Sequence, residues 1–279
     1  MILAVPECMI YKDNQGTIYS YDGVFFKLVN SKHPVRQAGY ELAGHDDRKH
    51  TKKGEGGNDS KLDRNISRAR QAIFELAFCN PWDYFATMTF DPKKVSNRND
   101  LDSVMKSFGK WLNNYNSRKA SGAVRYLLIP EKHKDGAWHL HGFLSGIPSA
   151  DLHSFQMSEH IPYAILNELE KGNEVFSWIP YQTKFGYCTM EPIRTREGAA
   201  KYVTKYITKD LKRSVEAINA HLYYCSRGLT RKSIVYRSEV IQNFTPDFEN
   251  EHVRIKQSDT LDNLIRLFCH DEGEIPYEQ

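Results

Sequence analysis

The sequence lacks the features of membrane-spanning, secreted and disulfide-linked proteins. No apolar run approaches the ~20 residues that a helix needs to cross a bilayer, and residues 1–6 contain neither a basic region nor the cleavage site of a signal peptide. The five cysteines lie far apart and include no CxxC pair. Such a set is typical of reduced thiols rather than of a disulfide framework or a zinc knuckle. We therefore expect a soluble cytoplasmic protein with no membrane partner.

The sequence also lacks the GxxxxGK[ST] loop of nucleotide hydrolases, and it has little net charge. The formal charge is +3, but ten acidic and only three basic residues lie from Glu239 onward, so the rest of the chain is clearly basic. A basic body with an acidic end indicates a polyanionic partner, although such asymmetry also arises from solubility alone. At 279 residues the chain can form one large domain or two modest ones.

One stretch, residues 125–145, predicts a β-hairpin that carries chemically active side chains. Two apolar, aromatic-rich runs flank residues 134–136. Pairing Glu131 with His139 leaves those three residues as the loop, with a glycine at its last position, where a positive φ is needed. Side chains alternate along a strand, so His139 and His141 lie on one face together with Glu131. Two imidazoles and a carboxylate at one place predict a divalent-metal site.

Several alternatives stay open for these residues. The two histidines of the hairpin can simply be surface residues on a half-solvated strand. His133 has the same parity as Glu131 and can replace it as the third ligand, but it lies nearer the turn. Thr87 and Thr89 share a strand face and are either nucleic-acid contacts or ordinary β-branched residues. Trp138 is a candidate for stacking on unpaired bases.

A second stretch, residues 197–213, predicts a helix that presents two tyrosines. Tyr202 and Tyr206 are four residues apart, so they lie one turn apart on the same face. Lys205 and Lys209 have the same spacing, and each follows a tyrosine by three positions, which gives the pattern YxxK twice. The surrounding segment is strongly basic. The pattern also fits an ordinary amphipathic helix whose tyrosines are buried and whose lysines are solvated.

Helical and strand patterns alternate around these two stretches. The sequence predicts further helices at 59–79 and 100–115, further strands at 82–90 and 185–190, and an irregular excursion at 147–183 with one short helix. It therefore predicts three regions, namely an N-terminal extension with a basic linker (1–58), a main α+β domain (59–238) and an acidic C-terminal tail (239–279).

In this order, the segments resemble the three motifs of the HUH endonuclease superfamily, and specifically the rolling-circle replication initiators of small phages and plasmids. Motif one resembles residues 85–90, FATMTF. Motif two resembles residues 139–141, with Glu131 at the spacing of the third metal ligand, and motif three resembles the doubled YxxK of residues 202–209. The resemblance covers about residues 82–236. It implies an α+β fold, a central antiparallel sheet of about five strands with flanking helices, related to the RNA-recognition fold.

The resemblance also implies the chemistry, which is the metal-dependent nicking and joining of DNA. Tyr202 or Tyr206 attacks a phosphodiester, forms a 5′-phosphotyrosine and leaves a free 3′-OH, while Lys205 and Lys209 favour the phenolate. The two histidines and the carboxylate of the hairpin hold Mg2+ or Mn2+. Ligand chemistry alone favours Mn2+ or Zn2+, because Mg2+ prefers oxygen ligands.

The implied partner is single-stranded DNA at a replication origin in a bacterial host. Because the sequence has no helicase motif, the initiator would need a host helicase. The alternatives are a relaxase or a single-strand transposase of the same superfamily, a non-catalytic nucleic-acid-binding module, and a metal-dependent hydrolase that uses water. The doubled YxxK favours the initiator.

Overall fold

The structure of the protein is a computed structural model that describes residues 11–12, 14–33, 35–36, 58–118, 122–195, 198, 221–240 and 243–268. For residues 11–12, 35–36 and 58–64 it describes the backbone only. The chain divides into two compact units. The central unit is Gly56–Thr230, and the terminal unit combines Met1–Glu55 with Arg231–Gln279.

The described residues form strands and helices of very different lengths. In chain order they are β1 (Tyr11–Lys12), β2 (Gln15–Tyr21), β3 (Phe25–Ser31), β4 (Val35–Arg36), α1 (Asn58–Cys79), β5 (Tyr84–Thr89), α2 (Leu101–Asn116), β6 (Arg125–Lys132), β7 (Trp138–Ser145), β8 (Leu152–Ser154), α3 (Tyr163–Glu170), β9 (Phe176–Trp178), α4 (Ile179–Lys184), β10 (Cys188–Pro192), β11 (Tyr224–Cys225), β12 (Ser233–Glu239), β13 (Phe248–Glu249), β14 (Val253–Ser258) and α5 (Leu261–Ile265).

The central unit is built on a seven-stranded sheet in the order β11-β6-β7-β5-β10-β9-β8. Every neighbouring pair in it is antiparallel. The hairpin β6–β7 and the adjacent β5 form its middle, and their aromatic and β-branched side chains suit a sheet that is covered on both faces. The expected α+β fold with an antiparallel sheet is therefore confirmed. The sheet has seven strands rather than about five, because the excursion after β7 adds β8 and β9 at one edge.

One face of this sheet packs against α2 and α4. Asp100 caps α2, because its side chain accepts a hydrogen bond from the backbone N–H of Ser103 at 3.2 Å. The apolar stripe of α2 then enters the core, where Phe108 is fully buried in one cluster with Leu128 and Leu140 of the sheet. Burying a side chain of this size stabilises the fold by about 1.5–3 kcal/mol, so this face fixes the hairpin to the helix.

The opposite face packs against α1 near one end of its strands. Ile73 of α1 lies in one core cluster with Phe85, Leu127 and Phe143 of the sheet. Asn80 follows the helix and is buried, and its side-chain amide donates to the carbonyl oxygen of Leu76 at 2.9 Å. These contacts cover the apolar end of the face. The polar side chains of the same face lie toward the β6–β7 turn.

The terminal unit has its own sheet in the order β12-β2-β3-β14-β13. Its core includes Ile18, Leu28, Leu264 and Phe268, so α5 and the segment after it cover one face. Strands from the beginning and from the end of the chain therefore depend on each other for their pairing. The regions predicted from the sequence differ from this arrangement, because residues 14–33 and 233–268 share one sheet instead of forming an extension and a peripheral tail.

Within the residues that the structure describes, no helix is both long enough and apolar enough to cross a bilayer.

Candidate functional site

Polar side chains of three neighbouring strands form two rows on the face that α1 partly covers. Glu131 of β6 lies opposite His139 of β7, which lies opposite Thr89 of β5. In the next row of the same face, His141 lies opposite Thr87. Directly opposed side chains in an antiparallel sheet stand about 5 Å apart at Cβ, so these five side chains form one continuous patch. We call these five residues the polar patch.

The turn of the hairpin sets the register of this patch. The backbone N–H of His133 donates to the carbonyl oxygen of Ala137 at 2.8 Å, which closes a loop of residues 134–136. The glycine at the last loop position has a φ of 85°, a conformation that glycine adopts without steric cost. Glu131 therefore pairs with His139, and the register and the loop predicted from the sequence are both confirmed.

His141 is buried and is held at both ring nitrogens. Its Nε2 lies 2.6 Å from Oε2 of Glu131, and its Nδ1 lies 3.2 Å from the hydroxyl oxygen of Thr87. A hydroxyl can both donate and accept a hydrogen bond, so Thr87 can hold the ring whichever nitrogen carries the proton. If Nε2 binds a cation, Nδ1 carries the proton and donates it to Thr87, as the outer partners of metal-bound histidines usually require.

His139 lies between two other imidazoles. Its ring centroid is 5.0 Å from that of His133 and 6.5 Å from that of His141, and both pairs are nearly parallel. Burial lowers the pKa of His139, and the nearby His133 and His141 lower it further. Its neutral form is therefore favoured, and the neutral ring is the form that binds metals. His133 instead directs Nδ1 to Oδ1 of Asp135 at 3.1 Å.

Glu131 supplies the negative charge of the patch. The hydrogen bond with His141 lowers the pKa of Glu131, burial opposes this effect, and the nearby histidines lower the pKa further. The carboxylate is therefore ionised at neutral pH and can act as a metal ligand or as a hydrogen-bond acceptor.

The donor set suits a divalent ion in its chemistry, since it combines two neutral imidazoles with an ionised carboxylate. Among the residues that the structure describes, however, no three His, Cys, Asp or Glu side chains already stand at the spacing of a metal site. The reason is that Glu131 reaches His141 directly at 2.6 Å, so an ion has to replace the proton between them. The assignment of His139, His141 and Glu131 as metal ligands stays a prediction.

The predicted nucleophiles lie outside the described residues. Tyr202, Tyr206, Lys205 and Lys209 all fall within residues 199–220, so their distance from the polar patch is not part of the structure. Their roles and the helix predicted at 197–213 stay predictions.

Two further residues differ from the sequence reading or refine it. Trp138 is only 7% exposed, and its indole N–H donates to the carbonyl oxygen of Asn99 at 3.1 Å. It shares the parity of Leu140 and faces the core with α2, so the expectation that it stacks on bases is wrong. Thr87 contacts His141. Its parity with Thr89 was the available signal, but the partner becomes visible only when β5 is placed beside β7.

The fold and the site together define a class, namely an α+β unit whose antiparallel sheet carries two histidines and a carboxylate on one face. Residues 83–211 match the family model of the replication-associated protein ORF2. The matched segment is less than half of the chain and contains the entire hairpin and the doubled YxxK. The match is consistent with a rolling-circle replication initiator. No curated protein and no solved structure matches the chain significantly.

Proposed function

We propose that this protein is a replication initiator that nicks and rejoins single-stranded DNA at an origin through a covalent tyrosine intermediate. The observation that carries the proposal is the cross-strand pairing of Glu131 with His139 and the direct contact of Glu131 with His141, inside the segment that matches replication-associated proteins. The doubled YxxK follows in the same segment. The covalent linkage and the metal dependence rest on the sequence pattern and on the chemistry of these residues.

In the proposed reaction, the phenol oxygen of Tyr202 or Tyr206 attacks the phosphorus of one phosphodiester. The bond to the 3′-oxygen breaks, the 5′-phosphate stays on the tyrosine, and the 3′-oxygen takes up a proton and becomes the primer end. The neighbouring Lys205 and Lys209 favour ionisation of the phenols, whose pKa is otherwise near 10. Rejoining runs the same steps in reverse, because no water is consumed.

The polar patch holds and orients the phosphate in this proposal. A divalent ion, Mg2+ or Mn2+, held by His139, His141 and Glu131, would polarise the phosphate and stabilise the leaving oxygen. Thr87 keeps the ring of His141 in place, and α1 keeps the adjacent apolar end of the sheet covered. The second tyrosine can attack a second phosphodiester while the first holds the cut end, which suits an initiator that ends a replication round.

The test of the proposal is the detection of the covalent adduct. We expect that wild-type protein with Mn2+ and a labelled single-stranded origin oligonucleotide gives a protein–DNA band on denaturing gels. Changing Tyr202 and Tyr206 together to phenylalanine removes this band and leaves non-covalent binding in place, because phenylalanine lacks only the hydroxyl. Cleavage without an adduct would identify a hydrolase, and binding without cleavage would identify a DNA-binding module. A relaxase or transposase would give the same adduct on a transfer origin or a transposon end instead.

A further prediction concerns Thr87, which we assign as a positioning residue for His141. Thr87→Val keeps the shape of the side chain and removes the hydroxyl, so we expect the Mn2+ concentration for half-maximal nicking to rise roughly ten- to hundredfold. Thr87→Ser keeps the hydroxyl and should retain most of the affinity. Electron paramagnetic resonance of Mn2+ measures the binding directly.

The matched control for this prediction is Thr183→Val on α4, where the hydroxyl only donates to the carbonyl oxygen of Ile179 at 2.9 Å. The same methyl-for-hydroxyl exchange is made far from the polar patch, so the Mn2+ dependence should stay at the wild-type value. Equal Mn2+ affinity of Thr87→Val and wild type would show that the hydrogen bond to His141 has no positioning role.

A further inference from the structure

The terminal unit contains a second pair of histidines that directs two ring nitrogens at each other. His33 follows β3 and His252 precedes β14, and these two strands are paired in one sheet. Nε2 of His33 lies 3.3 Å from Nδ1 of His252, and the ring centroids are 5.5 Å apart. Both residues are exposed. The pair therefore faces solvent with its nitrogens already convergent.

The backbone on both sides of this pair is fixed by hydrogen bonds. The hydroxyl of Ser31 bonds both the carbonyl oxygen of His33, at 2.8 Å, and its N–H, at 3.2 Å. On the other strand, the side chain of Asn250 accepts from the N–H of His252 at 2.8 Å. The N–H of Lys32 donates to the carbonyl oxygen of His252 at 2.9 Å and joins the two segments directly. The convergence of the rings thus rests on restrained turns.

A carboxylate orients the ring of His252. Oε1 of Glu251 lies 3.2 Å from Nε2 of His252, so the favoured neutral tautomer carries its proton on Nε2 and leaves a lone pair on Nδ1. That lone pair points at His33. A carboxylate behind a histidine that presents its other nitrogen is the usual second partner of a metal-binding imidazole.

We infer that His33 and His252 bind a late divalent transition-metal ion of the Zn2+ class. Two imidazole nitrogens at 2.0–2.1 Å from a tetrahedral ion are about 3.3–3.4 Å apart, which matches the separation found here. Imidazole ligands favour Zn2+, Ni2+ and Cu2+ over Mg2+ and Ca2+. The ion takes the place of the proton between the rings, and His33 keeps its proton on Nδ1. Water fills the other positions.

The site has a structural consequence within the terminal unit. A bound ion links the end of β3 to the turn between β13 and β14, and it stabilises the folded form by binding it selectively. This inference does not depend on the proposed nicking activity, because the two histidines belong to a different sheet from the polar patch.

The experiment measures Zn2+ binding by the full-length chain in a competition with a chromophoric chelator. The background is the double variant His139→Ala/His141→Ala, so that the polar patch does not contribute. We expect this protein to bind one Zn2+ ion that His33→Asn and His252→Asn each weaken at least tenfold. Glu251→Gln, which removes the orienting charge but no ligand, should weaken binding roughly tenfold.

The matched control is His160→Asn, which removes another exposed histidine from the central unit and should leave Zn2+ binding unchanged. Circular dichroism and thermal melting without metal verify that each variant is folded. Equal Zn2+ affinity after His33→Asn and in the parent, or a loss after His252→Asn alone, overturns the two-histidine site. A rise in melting temperature with Zn2+ that disappears in both single variants supports it.

Discussion

Replacing His141 by alanine is expected to abolish nicking while most of the affinity for single-stranded DNA remains. His141 lies at the centre of the polar patch, where it contacts both Glu131 and Thr87. Removing it deprives the proposed ion of one of three protein ligands, and metal polarisation of a phosphate is worth several kcal/mol. A loss of ~4 kcal/mol in the transition state lowers the rate about a thousandfold. His139→Ala should behave in the same way.

Two measurements on the same preparation separate the roles. Adduct formation with excess Mn2+ reports the chemistry, and fluorescence anisotropy of a labelled oligonucleotide reports binding. His153→Ala is the matched control, because His153 lies on the edge strand β8 and its Nε2 contacts Oε2 of Glu159 at 2.9 Å, so nicking should remain near the wild-type rate. If His141→Ala reduces binding as much as cleavage, its role is to hold DNA and not to support the chemistry.

Gly142→Ala is expected to give the largest loss of stability. Gly142 follows His141 in β7 and has a φ of 156°. A Cβ at this position would lie 2.0 Å from the backbone oxygen of Leu127 and 3.0 Å from the Cα of Leu128. No side-chain rotation relieves a contact with backbone, so β6 and β7 would have to separate. We expect the free energy of unfolding to fall by about 3 kcal/mol or more.

Gly109→Ala is the control for this change. Gly109 lies inside α2, and a Cβ added there would have no neighbour within 4 Å. Alanine is the better helix former by about 1 kcal/mol, so this variant should be at least as stable as the wild type. Urea unfolding followed by circular dichroism measures both. A Gly142→Ala protein with wild-type stability would contradict the close strand approach.

The sequence predicted the parts of the fold that depend on short-range patterns. The register of the β6–β7 hairpin follows from the alternation of His139 and His141 and from the loop that Gly136 permits, and both hold in the structure. The helix after Asp100 follows from a capping residue and an apolar stripe. In each case the information lies within about ten residues, so local physics is sufficient.

The terminal unit shows where local patterns fail. The sequence reading placed a small hairpin around residues 13–16, whereas the structure forms it between β2 and β3 around Asp22 and Gly23. Both turn residues have positive φ, at 58° and 73°. An Asp-Gly pair between aromatic runs is a strong hairpin signal and was the available cue. The pairing of β2 with β12 and of β3 with β14 joins distant segments, and no local pattern indicates it.

The candidate site divides along the same line. The positions of Glu131, His139 and His141 follow from one hairpin. The contact of His141 with Thr87 needs β5 beside β7, which is a tertiary fact. The approach of Tyr202 and Tyr206 is tertiary as well and remains a prediction.

The discontinuous sheet of the terminal unit has a consequence for synthesis on the ribosome. Arg237 bonds Thr17 across 220 positions of the chain, so β2 and β3 emerge long before β12 and β14 can pair with them. The central unit is contiguous and can fold as soon as residue 230 has left the exit tunnel. During that interval the early hairpin presents open strand edges, which favour aggregation or chaperone binding. Slowing translation downstream of residue 230 should therefore lower the soluble yield.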